Sequence, residues 1–105
     1  MKVNWKLFDP KQYVKVNYDI LHEEDRQIID ILIPYYSSLP MVASAIEVGV
    51  GPNLYPLMLM LSKADHIDAI DPNPRNISYL KSQTTHPDKN WQTFWEYITD
   101  PSPLN

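Results

Sequence analysis

The stretch that decides the fold is residues 43–55, which read ASAIEVGVGPNLY. Its first half, residues 43–48, is short, apolar and bounded by a turn, which predicts a buried strand. Both glycines of the chain, Gly49 and Gly51, stand in the turn that follows. Because glycine adopts positive φ and lets a ligand approach the backbone closely, this loop is the first candidate for a functional site.

The residues after this loop predict a helix, a second strand and a further helix. The predicted segments are a buried helix over 54–61, a strand over 67–70, a helix over 74–83 and a loop over 84–90. Pro56 is tolerated because it lies in the first turn of its helix. Asn73 and Pro74 mark the next helix start, since Asn is a favoured N-cap and Pro fits the first helical position.

Further helices are predicted on both sides of this unit. Asp9 and Pro10 predict the start of a short first helix in the same way. The acidic triplet 23–25 predicts the first turn of a second helix, favoured by the helix dipole, and Pro40 marks the end of that region. Near the C-terminal end of the sequence, four apolar residues recur at helical spacing, and such a stripe usually packs in the core. They are Trp91, Phe94, Trp95 and Ile98.

This order predicts an α/β fold, with two N-terminal helices, a β-α-β-α unit and a C-terminal amphipathic helix. Strands that alternate with helices imply right-handed crossovers and parallel pairing. We expect one cofactor-binding domain over 1–105. Its parts are a helical cap over 1–40, a nucleoside-binding core over 41–83, and a loop and terminal helix over 84–105.

Composition excludes several classes of function. The 9 basic and 13 acidic residues give a net charge of −4, which argues against a nucleic-acid partner, since that usually needs a basic face. The chain has no cysteine, so it has neither a disulfide framework nor a thiolate metal site. Its longest apolar run, residues 57–61, is far short of the ~20 residues that span a bilayer. We expect a soluble, cytoplasmic protein with no membrane or nucleic-acid partner and no metal.

An acid, Asp71, follows the second predicted strand. Ligands of open parallel sheets bind outside the carboxyl ends of the strands, and one carboxylate can accept both hydroxyls of a ribose. Counting Gly-x-Gly-x-x-Gly from Gly49 puts Leu54 at the third glycine position, and Pro52 removes an N–H that a pyrophosphate would use. The pattern predicts a nucleoside site and disfavours a nicotinamide dinucleotide. The plainer alternative is an ordinary strand-to-helix turn followed by a solvated acid.

Residues 47–55, EVGVGPNLY, together with Asp71 and Asn76, resemble a known enzyme family. They are similar to the nicotinamide, phenylethanolamine and indolethylamine N-methyltransferases, which are class I S-adenosylmethionine-dependent methyltransferases. That family carries acid-x-G-x-G-P-x-x-Y, then an Asp, then an Asn five residues later. It also has two tyrosines five residues apart in a helix before the sheet, a spacing found here at Tyr13 and Tyr18. The resemblance covers roughly residues 9–80.

The resemblance implies roles for the matching residues. The implied S-adenosylmethionine-binding set is Tyr13, Tyr18, Glu47, Gly49, Val50, Gly51, Tyr55, Asp71 and Asn76. The three tyrosines would surround the methionine part of the cofactor, with their hydroxyls toward its carboxylate. The glycine loop would contact the ligand through its backbone. Asp71 would bind the ribose hydroxyls with support from Asn76, and Glu47 would order the loop and the methionine amino group.

Family members are more than twice as long and continue into a seven-stranded sheet. The resemblance therefore implies a Rossmann-like N-terminal half that lacks most of the methyl-acceptor pocket and shows no turnover alone. The function predicted is the cofactor-binding part of a methyltransferase that N-methylates a small molecule. One alternative is a noncatalytic methyltransferase-like module that works through a protein partner. Another is nucleotide binding without methylation.

Assembly is the last expectation from the sequence. Two parallel strands bury themselves poorly, because parallel sheets normally have several strands and both faces covered. The apolar stripe of the Trp91 helix adds surface that would pack on the missing part. We therefore expect a homodimer, or a protein partner that supplies the missing sheet.

Overall fold

The computed structural model describes residues 8–100, which form a mixed α/β fold with five helices and a two-stranded sheet. The elements in order are α1 (Pro10–Asn17), α2 (Glu23–Ser38), β1 (Val42–Val48), α3 (Tyr55–Met60), β2 (Ala64–Ile70), α4 (Pro74–Thr85) and α5 (Lys89–Thr99). This order confirms the predicted α/β class. The outermost residues of the predicted ranges 1–40 and 84–105 lie outside the described part. Within it, no helix has the length and apolarity needed to cross a bilayer.

Side-chain caps start two of the helices where the sequence predicts them. The Asp9 carboxylate accepts a hydrogen bond from the N–H of Lys11 at 3.0 Å, and Pro10 opens α1. Asn73 caps α4 in the same way, accepting from the N–H of Arg75 at 3.0 Å. Each cap satisfies one N–H that has no partner inside the helix, so both predicted starts are confirmed.

Several element boundaries differ from the prediction. Both strands begin earlier than expected, at Val42 and Ala64, because backbone pairing continues past the apolar residues that marked them. Helix α4 runs to Thr85 and α5 begins at Lys89, so most of the predicted loop over 84–90 is helical. Hydroxyl bonds back to the preceding turn accommodate the threonines at the end of α4.

The strands are parallel, as predicted, but they are not buried. In the register, Ile46 faces Asp68 and Val48 faces Ile70, and we call the surface formed by these four residues the open face. Val48 is 75% exposed, Ile46 60% and Ile70 50%. Their neighbours on the other face are half-buried, and Ala69 packs against the core there. The prediction that residues 43–48 form a buried strand is wrong, because within residues 8–100 helical packing reaches one face of the sheet.

The core lies among the helices. Trp91, Phe94 and Ile29 are fully buried, and the indole Nε1 of Trp91 donates to the Tyr79 hydroxyl at 2.7 Å. The prediction that the α5 stripe is core is confirmed for its two central aromatic residues. The expectation that this stripe would be left uncovered is wrong, because α5 folds back against α3. Trp95 remains 42% exposed.

Candidate functional site

The glycine loop has the backbone conformation that its composition predicts. Gly49 has a φ of +68° and Gly51 a φ of +60°, both in the left-handed region that favours glycine. A Cβ built on either residue would meet no atom within 4 Å. The backbone conformation, and not crowding, therefore calls for glycine, and the space in front of the loop is open to a ligand.

The N–H groups of this loop donate hydrogen bonds to residues at the end of β2. The acceptors are the carbonyl of Ile70 for Gly49 (2.7 Å) and for Val50 (3.3 Å), and the carboxylate of Asp71 for Gly51 (2.8 Å). Pro52 has no N–H, so residues 49–52 offer no free donor to a ligand. The Val50 side chain is buried in the core cluster, which leaves its backbone as the part near the loop surface.

Asp71 holds this end of the sheet together. Its Oδ2 accepts from Gly51, while its Oδ1 accepts from the N–H of Asn73 at 2.9 Å and from Asn76 Nδ2 at 3.0 Å. Burial raises the pKa of Asp71, but these three donors outweigh burial, and the pKa lies below its ordinary value. The group is therefore an anion at neutral pH, and both of its oxygens are engaged.

Asn76 contributes an acceptor that has no partner. The residue is 6% exposed, and its Oδ1 is buried without a hydrogen bond among the described residues. The amide orientation is set by Asp71, because the carboxylate accepts only and must face the Nδ2 group. An unsatisfied buried acceptor costs about 1–3 kcal/mol, which a hydroxyl donor in this place would relieve.

The three tyrosines of the implied binding set lie together. The ring centroids of Tyr13 and Tyr18 are 6.0 Å apart, and those of Tyr18 and Tyr55 are 6.1 Å apart. Tyr55 stacks on Phe94 at 5.5 Å, so helix α5 supports the group from below. We call Tyr13, Tyr18 and Tyr55 the tyrosine cluster. Its members come from α1, the end of α1 and the start of α3.

Asn53 joins this cluster to the glycine loop. Its Nδ2 donates to the Tyr18 hydroxyl at 3.3 Å, and its Oδ1 accepts from the N–H of Tyr55 at 3.2 Å. Gly51, two residues before Asn53, donates a hydrogen bond to Asp71. Residues 51–53 therefore contact the Asp71 carboxylate through Gly51 and the tyrosine cluster through Asn53. Burial, and then the neighbouring phenols and Asp25, raise the pKa of Tyr18 above its ordinary value, so its hydroxyl stays protonated at neutral pH.

Asp25 also reaches the cluster, which the sequence analysis did not anticipate. The Tyr55 hydroxyl donates to Asp25 Oδ1 at 3.4 Å across 30 residues of chain. Burial raises the pKa of Asp25 and outweighs the Tyr55 bond, which lowers it. In the sequence this residue is one of three acids that suit the first turn of a helix, and nothing in that pattern separates it from its neighbours.

Glu47 stands on the half-buried face of the sheet, paired with Ala69. Its charge contributes, after burial, to the raised pKa of Tyr36. The carboxylate that accepts a hydrogen bond from the loop is that of Asp71. The implied roles of Glu47, toward the loop and the methionine amino group, stay predictions.

The charged residues at the start of β2 form a pair and no larger group. His66 Nε2 and Asp68 Oδ1 are 2.8 Å apart on an exposed surface. Across residues 8–100, no group of three or more His, Asp or Glu side chains converges as metal ligands would.

No protein-family model matches the sequence, and no curated protein matches it. The residues of the site are therefore the basis on which its function is argued.

Proposed function

We propose that this chain is the S-adenosylmethionine-binding part of a Rossmann-like class I methyltransferase that N-methylates a small molecule. The observation that carries the proposal is the contact of Asp71 with both Gly51 and Asn76 at the carboxyl end of two parallel strands. Parallel α/β sheets bind nucleosides at this end. Asp71, the glycine loop and the Asn76 amide, which the sequence pattern singles out, thus form one hydrogen-bonded group.

Two acceptors of this hydrogen-bonded group suit the two hydroxyls of a ribose. Each oxygen of an ionised carboxylate can accept about two hydrogen bonds, and Asp71 Oδ2 accepts one, from Gly51. Asn76 Oδ1, which has no partner, is the second acceptor. A ribose hydroxyl on each would complete the hydrogen bonding of both residues.

The donors of the glycine loop distinguish a sulfonium nucleoside without phosphate from a dinucleotide. A pyrophosphate needs free N–H groups. The N–H groups of Gly49, Val50 and Gly51 already donate hydrogen bonds to the Ile70 carbonyl and the Asp71 carboxylate. S-adenosylmethionine has no phosphate and makes no such demand. This argument also weighs against nucleotide binding of the ATP type.

The tyrosine cluster suits the charged end of such a ligand. Aromatic rings attract cations through their faces, and three rings lie in contact on the far side of Asn53. Bound S-adenosylmethionine supplies a methyl group on a sulfonium, and displacement at that methyl requires mainly orientation. Asp71, Asn76 and the tyrosines would supply that orientation by holding the two ends of the ligand.

A thermal-shift titration tests the proposal. S-adenosylhomocysteine at about 100 times its Kd should stabilise the chain by about 2.7 kcal/mol, because it binds the folded state alone. NAD and ATP are the controls and should give no shift. Asp71→Ala should abolish the shift, while Asp68→Ala, which removes an exposed acid of β2 three residues earlier, should retain it. No shift with the wild-type chain, or an equal shift with NAD, would contradict the proposal.

The open face of the sheet favours a second candidate, a noncatalytic module that works through a protein partner. Apolar side chains at Ile46, Val48 and Ile70 are half or more exposed there. The bonds of Asp71 to the loop would then serve structure alone. In that case no adenosyl ligand raises the melting temperature, and Asp71→Ala lowers the stability of the chain with and without ligand by the same amount.

A further inference from the structure

Asp25 places a carboxylate against the tyrosine cluster. The Tyr55 hydroxyl donates to it at 3.4 Å, and its charge contributes to the raised pKa of Tyr18. Tyr55 is 7% exposed, so the oxygen that Asp25 accepts from belongs to a nearly buried side chain. The acid is therefore in contact with one member of the tyrosine cluster and acts through its charge on a second.

Asp25 takes part in none of the ion pairs within residues 8–100, which are His22 with Asp19, Arg26 with Glu23, and His66 with Asp68. Burial raises the pKa of Asp25 most; the charge of nearby His22 lowers it, and that of Glu24 raises it. His22 is itself hydrogen-bonded to Asp19. A partly buried carboxylate with aromatic rings beside it and no ion-pair partner attracts a cation for two reasons, the charge and the ring faces.

We propose that Asp25 makes the tyrosine cluster select the ammonium group of the ligand and disfavour a carboxylate in that place. The inference rests on the proposed function, since it assigns one end of the adenosyl ligand to this cluster. It differs from the orientation that the family resemblance implies, in which the tyrosine hydroxyls point to the ligand's carboxylate. Asp25 is then a specificity-determining residue that acts by its charge.

Three adenosyl ligands separate the contributions. S-adenosylhomocysteine carries both an ammonium and a carboxylate, its decarboxylated form S-adenosyl-3-thiopropylamine carries the ammonium alone, and 5′-methylthioadenosine carries neither. Their affinities are measured by isothermal titration calorimetry on the full chain, as wild type, Asp25→Asn and Glu24→Gln. Glu24→Gln is the matched control, because it removes the same charge from the adjacent, exposed residue of the same helix.

In the wild type, the amine should bind at least as tightly as S-adenosylhomocysteine and more tightly than 5′-methylthioadenosine. Asp25→Asn should weaken the amine on the order of tenfold, the size of effect that a close charge at a part-buried site produces. It should leave 5′-methylthioadenosine unchanged and should not weaken S-adenosylhomocysteine to the same extent. Glu24→Gln should change none of the ratios by more than a small factor.

Each other outcome overturns the inference in a recognisable way. If all three ligands bind and Asp25→Asn leaves the ratio of amine to 5′-methylthioadenosine unchanged, the inference fails and the proposed function stands. The same holds if the variant weakens all three equally, which is the result of a structural role. If no ligand binds the wild type, the proposed function fails and the inference fails with it.

Discussion

The helical core and strand β1 both contain apolar segments, yet these segments differ in burial. Trp91 and Phe94 of α5 are 0% exposed, whereas Ile46 and Val48 of β1 are 60% and 75% exposed. The α5 aromatics are enclosed by α3, α4 and the tyrosine cluster. The sheet, within residues 8–100, has helical packing on one face. Apolar composition thus marks a segment as able to be buried, and the neighbouring elements decide whether it is.

This difference separates what stabilises the molecule from what positions its candidate site. Hydrophobic stabilisation scales with the apolar area removed from water, so the helices contribute most of it. The sheet contributes by bringing the ends of β1 and β2 side by side, which places the glycine loop next to Asp71. The following predictions test that division, beginning with the largest expected effect.

Removal of the central indole should cost the most stability. Trp91→Ala empties a fully buried position and removes the donor to the Tyr79 hydroxyl, so we expect a loss of about 3–5 kcal/mol. Trp95→Ala, one turn further along the same helix, should cost clearly less, because that side chain is 42% exposed. Urea unfolding followed by far-UV circular dichroism measures both. Equal losses for the two tryptophans would contradict the burial difference within α5.

The end of the sheet should depend on charge instead of packing. The pKa of Asp71 is depressed in the folded state, so its bonds stabilise the chain above the unfolded pKa of about 3.9 and are lost as pH falls through the folded value. Asp71→Asn should therefore be less stable than wild type at neutral pH, and the gap should close below about pH 4. Melting temperatures between acid and neutral pH check this, with Asp68→Asn as the exposed control. A gap that stays constant with pH would mean that the charge has no part in it.

Substitution on the open face should change stability least but assembly most. We propose that the chain forms a homodimer through the outer edge of β1, because residues 42–46 carry no charge, whereas Asp65 and Asp68 would repel their copies across β2. Ile46→Lys should alter unfolding stability by roughly 0.5 kcal/mol or less and convert the dimer to a monomer. Light scattering coupled to size exclusion at micromolar concentration measures this. A monodisperse wild-type monomer of 12.3 kDa would contradict the assembly proposal.

The sequence predicts the local parts of the fold well. Asp9 with Pro10 and Asn73 with Pro74 mark helix starts that the structure has, since a cap involves residues two or three positions apart. The positive φ at Gly49 and Gly51 follows from the residue type in a tight turn. The boundaries of β2 and of the loop after α4 were missed, because backbone pairing and helical bonding extend past the residues that mark an element.

The candidate site is predictable in part. Tyr13, Tyr18 and Tyr55 were named together through the resemblance, and the structure brings them into ring contact. Asn53 and Asp25 were missed, because an Asn in a turn and an Asp in a first helical turn each suit a purely local role. The contact of Asn53 with Tyr18 and that of Asp25 with Tyr55 cross long stretches of chain, and no local pattern encodes them.

The sequence alone determined the order of the elements, the parallel pairing, the helix caps and the loop on which the site is built. Each of these follows from interactions between residues close in the chain, or from the alternation of strands with helices. Tertiary structure alone decided that α5 closes the core while the strands stay open. It also decided that Asp71 accepts a hydrogen bond from Gly51 of the glycine loop, and that Asp25 stands beside the tyrosines. Those outcomes depend on which distant surfaces meet, and residue type by itself does not determine that.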